Sequence, residues 1–247
     1  MAQRDEIVAY AAELLEVARW PEFAPAGLQV VGAPEVTRLA CGVSCSRELF
    51  ERAVAGGAEM VLVHHGLFWR NEPLVVDARL RGRLEALFRG DASLVAYHLA
   101  LDAHPELGNN AQLARKIGAV PDGPFASVGL GCAFPAPCGL DELVARTREA
   151  VGRDPLVFGH GPAEIRRIAV VTGAAGHELA RAAHEGFDAL VTGEPEEPSL
   201  ATARELGIHL VAAGHHATER FGVRALAGHL AERFGLAWEA IEVENPV

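Results

Sequence analysis

Short apolar runs alternate along this chain with segments whose apolar residues recur at helical spacing. Leu39-Ala40-Cys41-Gly42-Val43 predicts a buried strand. A helix should follow, with Leu49, Phe50, Ala53 and Val54 apolar and Arg47, Glu48, Glu51 and Arg52 polar. Gly56-Gly57 can end it, and Met60–Val63 predicts the next strand. Further on the grammar returns. Ile168-Ala169-Val170-Val171-Thr172 reads as a strand, Leu179, Ala182 and Ala183 mark a helix ending near Gly186, and Ala189-Leu190-Val191 reads as a second strand. Leu94-Val95-Ala96-Tyr97-His98 and Leu210-Val211-Ala212-Ala213-Gly214-His215 continue the parallel. Each is a strand followed by a histidine and, four residues on, a carboxylate: Asp102 and Glu219. Chance similarity between βα units is the alternative, but the matching polar positions favour two related lobes.

Strands that read as continuous apolar runs belong in parallel sheets covered by helices on both faces. The expected fold is therefore α/β, with two linked, internally repeated, three-layer lobes. Ile7, Ala11, Leu14, Leu15 and Ala18 predict an N-terminal helix. Val120-Pro121-Asp122-Gly123-Pro124 reads as a turn-rich linker, which puts the boundary near 124 and the lobes at 1–124 and 125–247. After it come a strand over Val128–Phe134, broken by Pro135, Pro137 and Gly139, and a helix over Asp141–Val151. The last helix (Val223, Leu226, Ala227, Leu230, Phe234) and the tail Trp238–Val243 can pack on either lobe.

The polar groups at the strand ends carry the chemistry, because open α/β sheets keep their functional groups there. His64-His65 closes one apolar run. Successive strand residues point to opposite faces, so both rings reach one site only if the strand has ended and the backbone turns, as Gly66 permits. The alternative is one core histidine and one surface histidine. His215 and Glu219 sit one helical turn apart, with His216 the rival histidine at spacing three. Asp102 lies past a strand end, where it can ligate, orient or cap. Asn109 and Asn110 are expected to cap the helix that follows, and Ser44 and Ser46 the helix after the first strand. Collected, His64, His65, Asp102, His215 and Glu219 stand at strand ends, with His98, His104 and Glu194 near them. Three histidines and two carboxylates exceed a closed four-ligand zinc site and suit two divalent ions about 3.5–4 Å apart. Nitrogen and oxygen ligation suits Zn, Fe, Mn, Co or Ni alike, and the chemistry implied is hydrolysis.

Composition narrows the alternatives. Half of the 247 residues are hydrophobic, enough for a sizeable core. The net charge is −11, which opposes broad nucleic-acid binding. Arg79, Arg81, Arg83 and Arg89, and Arg166-Arg167, read as solvated faces. Cys41, Cys45, Cys132 and Cys138 match no zinc-ribbon spacing and read as reduced thiols of a cytoplasmic protein. No cleavable apolar leader or membrane span is expected. Walker A, Gly-x-Ser-x-Gly and dinucleotide fingerprints are missing; Gly129-Leu130-Gly131 leads to no third glycine in register.

Four motifs in order, His64–Trp69, His98–Asn110, Thr192-Gly193-Glu194 and Gly214–Glu219, resemble the Nif-three-like family of dinuclear metal-centre proteins, in its YbgI-like branch. Its members are often named GTP cyclohydrolase I type 2 homologues. The resemblance implies two α/β lobes with a dinuclear metal centre between them, and a toroidal homohexamer whose sites face an internal cavity. It also implies His64, His65, Asp102, His215 and Glu219 as metal ligands, choosing His215 over His216. His98, His104 and Glu194 become candidates to orient ligands, shuttle protons or meet substrate. Two departures stand out: Ser44 where many members carry aspartate, and Phe23–Gly27 without the aspartate that often precedes Gly-Leu-Gln. The implied activity is metal-dependent hydrolysis of a small heterocyclic or phosphorylated molecule, GTP among them. The alternatives are a non-catalytic metal-binding or metal-delivery protein and a metal-dependent phosphoesterase or nuclease, the last opposed by the acidic balance.

Overall fold

The computed structural model describes residues 1–247 throughout. The chain divides into two compact units, Met1–Leu101 with Gly222–Glu244, and Asp102–Phe221 with Asn245–Val247.

In the first unit a short ribbon, β1 (Ala2–Gln3), leads into α1 (Arg4–Leu14), β2 (Gly27–Val30) and β3 (Glu35–Val36), which closes the ribbon against β1. Then come β4 (Arg38–Ser44), α2 (Arg47–Ala55), β5 (Met60–His65), α3 (Ala78–Arg89) and β6 (Ser93–Ala96). β4, β5 and β6 are parallel neighbours, with Leu39 opposite Met60 and Met60 opposite Ser93. β2 joins antiparallel beside β6. The central strands are buried on both faces, which is why they read as unbroken apolar runs. Leu49, Phe50 and Ala53 of α2 and Leu87 of α3 cover Ala40, Val61, Val63 and Leu94 on one face. Both helices start on side-chain caps: Ser46 accepts the Leu49 N–H at 3.0 Å, and Asp77 the Leu80 N–H at 2.7 Å. The chain leaves this unit within α4 (Leu99–Asp102).

The second unit holds α5 (Asn109–Lys116), β7 (Val120–Phe125), β8 (Gly129–Cys138), α6 (Leu140–Val151), β9 (Leu156–Gly159), β10 (Ile165–Val171), α7 (Leu179–His184), β11 (Ala189–Thr192), α8 (Ser199–Leu206), β12 (His209–Ala212) and the first turns of α9 (His215–Phe234). Its sheet runs β7-β8-β10-β11-β12-β9, parallel at β10-β11-β12 and antiparallel elsewhere. Leu113, Ile117, Leu143, Val151 and Phe221 pack on one face, and Leu179, Ala182 and Ala203 on the other. That is the three-layer arrangement, and the repeat is visible in the topology. β4-β5-β6 with antiparallel β2 at the edge corresponds to β10-β11-β12 with antiparallel β9.

Three local expectations differ from the structure. The supposed linker at 120–124 is an edge strand, β7, paired with β8; prolines are tolerated there because an edge strand can spare an N–H. β8 continues through Pro135 and Pro137 to Cys138, its register against β10 shifting between Ile165 and Arg167. The unit boundary falls at residue 101, and again between Phe221 and Gly222 inside α9, where the expected boundary stood at 124. The returning segment belongs to the first unit because β13 (Ala237–Ala240) pairs in parallel with β4, Trp238 opposite Leu39. No helix is long and apolar enough to cross a membrane.

Candidate metal centre

Each unit gathers its own set of donors. In the first, β5 runs through both His64 and His65 instead of ending before them. The two rings nevertheless lie 4.7 Å apart between centroids at the strand's last residues. His98, between β6 and α4, brings its ring within 4.9 Å of His64 and 5.5 Å of His65. One nitrogen from each of the three rings lies within 4.8 Å of the other two. His64 is fully buried, and its Nδ1 donates to the Tyr97 carbonyl at 3.0 Å. A carbonyl only accepts, so a proton sits on Nδ1, and in the neutral tautomer this leaves the lone pair on Nε2. His65 Nδ1 meets the Ser44 hydroxyl at 2.8 Å, so Ser44 holds a ring and does not cap α2.

Glu22 was not foreseen. Its carboxylate accepts the backbone N–H groups of Leu99 (3.1 Å) and Ala100 (2.9 Å) at the start of α4, and lies 3.6 Å from His98 Nδ1. Burial alone would raise its pKa; the His98 ring and the two amides outweigh burial and hold it below the usual carboxylate range. Nothing in spacing marks Glu22, which is far from His98 in sequence. Gln29 is a second such residue: it accepts the Leu67 N–H at 2.7 Å and fills the space a side chain on Gly66 would need.

In the second unit, buried Asp102 accepts the Asn109 side-chain amide at 2.8 Å. Asn110 donates to the Asp102 carbonyl (3.2 Å) and the Val128 carbonyl (2.8 Å), and its Oδ1 accepts the Thr172 N–H at 2.8 Å. The helix cap falls on Gly108, so neither asparagine caps α5; both are buried and hold the Asp102 turn. His104 Nδ1 accepts the Glu106 and Leu107 N–H groups at 3.2 and 3.0 Å, binding the turn before α5.

His215, first residue of α9, lies between two carboxylates, with Glu194 2.5 Å from Nδ1 and Glu219 3.0 Å from Nε2. Burial pulls its pKa down, but the hydrogen bonds and charges of Glu219 and Glu194 prevail and push it up to about 9. His216 is buried elsewhere, its backbone N–H bound to the Val247 carbonyl. Gly173 and Gly193 make the close approach possible. A Cβ at Gly173 would stand 2.2 Å from Glu219 Oε1, and one at Gly193 2.7 Å from the His215 Cα. Gly173 adopts a φ of +72°, a conformation costly for other residues. The donors throughout are imidazole nitrogens and carboxylate oxygens, a chemistry that fits borderline divalent ions. The four cysteines lie outside these sets, unpaired by disulfides and buried, and burial pushes Cys41 and Cys132 up to about 12.

Residues 2–246 match the Duf34/NIF3 (NGG1p interacting factor 3) family. A Pseudomonas aeruginosa protein called a GTP cyclohydrolase 1 type 2 homolog is 44% identical over 246 residues, covering 97% of each chain. A solved structure of the protein ybgI, of unknown function, has a TM-score of 0.97 at 40% identity over all of both chains. That of TTHA1606 from Thermus thermophilus has a TM-score of 0.93 at 35% identity, also over the full length of both.

Proposed function

The chain belongs to the Duf34/NIF3 family, and we propose that it is a dinuclear metal-dependent hydrolase. The observation that supports this reading most is the convergence of His64, His65 and His98 in one unit, matched by the Glu194–His215–Glu219 chain and buried Asp102 in the other. In this reading His64, His65, Asp102, His215 and Glu219 hold two divalent ions, to be identified among Zn, Fe, Mn, Co and Ni. Bound there, two such ions lower the pKa of a water and stabilise negative charge developing on a substrate.

The protein's own groups then have definite tasks. Tyr97 fixes the His64 tautomer through its carbonyl. Asn109 orients Asp102, and Glu194 orients His215 through Nδ1, in the way that outer carboxylates fix ligating imidazoles. In this reading His98, 3.6 Å from Glu22, carries a proton. A small heterocyclic or phosphorylated molecule, GTP among them, is the proposed substrate, which the cyclohydrolase name of the relatives supports. Assembly as a homohexamer is proposed with it, to be read from mass in solution by light scattering.

Elemental analysis of untagged protein, purified without chelator, tests the site. Near two ions per chain are expected, falling by at least half in Glu219→Gln. Turnover of a substrate panel including GTP should scale with metal occupancy. Near-zero metal in both proteins after reconstitution would sink the proposal. Full occupancy without any turnover would leave a metal-binding or metal-delivery role.

A further inference from the structure

The segment after His65 and the first turns of α3 line an open cavity of about 550 Å³, wholly within the first unit. Its walls are mostly apolar, with Leu67, Phe68, Trp69, Val75 and Leu80 among them. At its rim Leu74, Val75 and Val76 stand 99%, 65% and 62% exposed, three consecutive apolar residues with nothing over them. The size is in the range that holds a small organic molecule.

Two carboxylates, Glu72 and Asp77, and two guanidiniums, Arg79 and Arg83, line the cavity. Arg79 is paired with Glu72 at 3.1 Å. Asp77 caps α3 through the Leu80 N–H. Both acidic groups are thus engaged, while Arg83, half-buried in the wall, has no carboxylate in ion-pairing reach. A guanidinium on the wall of an apolar cavity, with no carboxylate bound to it, is a ready counter-charge for an anion. Trp69 lines this cavity and also lies against the histidines: its ring is 5.8 Å from that of His65 and 5.2 Å from that of His98, centroid to centroid.

We propose that this cavity binds an organic monoanion with a flat apolar body, an aromatic or fused-ring carboxylate or sulfonate. The body lies against Phe68, Trp69 and Leu80, and the charge meets Arg83. One unengaged arginine matches a single negative charge and is a poor match for a nucleoside triphosphate. This binding does not rest on the hydrolase reading.

The test uses two dyes of the same shape on full-length, chelator-treated protein: 8-anilinonaphthalene-1-sulfonate, and N-phenyl-1-naphthylamine, which lacks the sulfonate. Near-UV circular dichroism first confirms that each variant is folded. Saturable binding of one sulfonate dye per chain is expected, with no displacement by GTP. Arg83→Met should weaken the sulfonate dye about tenfold or more while leaving the neutral dye within about twofold. Val75→Asp, at an exposed position the fold does not need, should weaken both. The proposal is overturned by absent or non-saturable binding, or by equal affinity of wild type and Arg83→Met for the sulfonate dye. It is also overturned if Val75→Asp changes the mass in solution and leaves dye binding alone, which would assign the cavity to a second copy of the chain. Because metal has been removed, none of these outcomes depends on whether the hydrolase reading holds.

Discussion

Asn110 shows how much one buried side chain can organise. It joins the Asp102 turn, the Val128 carbonyl before β8 and the Thr172 N–H after β10. Asn110→Ala leaves the Thr172 N–H without that acceptor, and an unsatisfied buried group costs about 1–3 kcal/mol. Urea denaturation should show a loss of that size and, on the proposed metal reading, metal content should fall as Asp102 loosens. Gly173 gives a sharper prediction. Gly173→Ala forces a side chain into a φ of +72° and a Cβ to within 2.2 Å of Glu219 Oε1. Backbone strain of about 1–3 kcal/mol and displacement of Glu219 are expected together, read as a lower Tm and lower metal content. The sequence marked Asn110 as polar at a helix start and gave Gly173 no special weight. Both owe their importance to chain segments that are distant in sequence.

At the scale of elements, Glu59 ties the start of β5 to that of β4. Its carboxylate accepts the Thr37 N–H (3.1 Å), the Thr37 hydroxyl (2.9 Å) and the Arg38 N–H (2.8 Å). Burial raises its pKa, but these hydrogen bonds together hold it below the ordinary value of 4.5. A carboxylate lowered on folding stabilises the fold above its unfolded pKa and loses that contribution as pH falls through its folded pKa. Glu59→Gln should therefore be less stable than wild type at neutral pH, the gap closing as pH drops below about 4.5. Urea midpoints across pH 7 to pH 3 check this, and a gap that stays constant with pH would refute it. The strands themselves were legible because double-sided burial leaves runs such as Met60–Val63 without polar interruption. β7 was not legible, because at a sheet edge Pro121 and Pro124 keep the composition of a turn.

For the molecule as a whole, a net charge of −11 sets an expectation that local structure does not alter. Duplex and single-stranded DNA should not be retained at physiological salt, since non-specific binding draws on counterion release by a positive surface. A gel-shift titration checks it, and tight salt-sensitive binding would revive a nuclease reading.

The sequence by itself determined the α/β class, the parallel repeats, the family and the residue types gathered at the strand ends, because each is written in local periodicity or in contiguous motifs. Tertiary structure decided which groups hold those residues in place. Ser44 on His65, Glu22 near His98, Tyr97 on His64 and Glu194 on His215 are pairings between separate segments. It also returned 222–244 to the first unit, through pairing of β13 with β4. A hydrogen bond between distant segments has no period and no neighbouring residue to announce it, so only the folded chain reveals it.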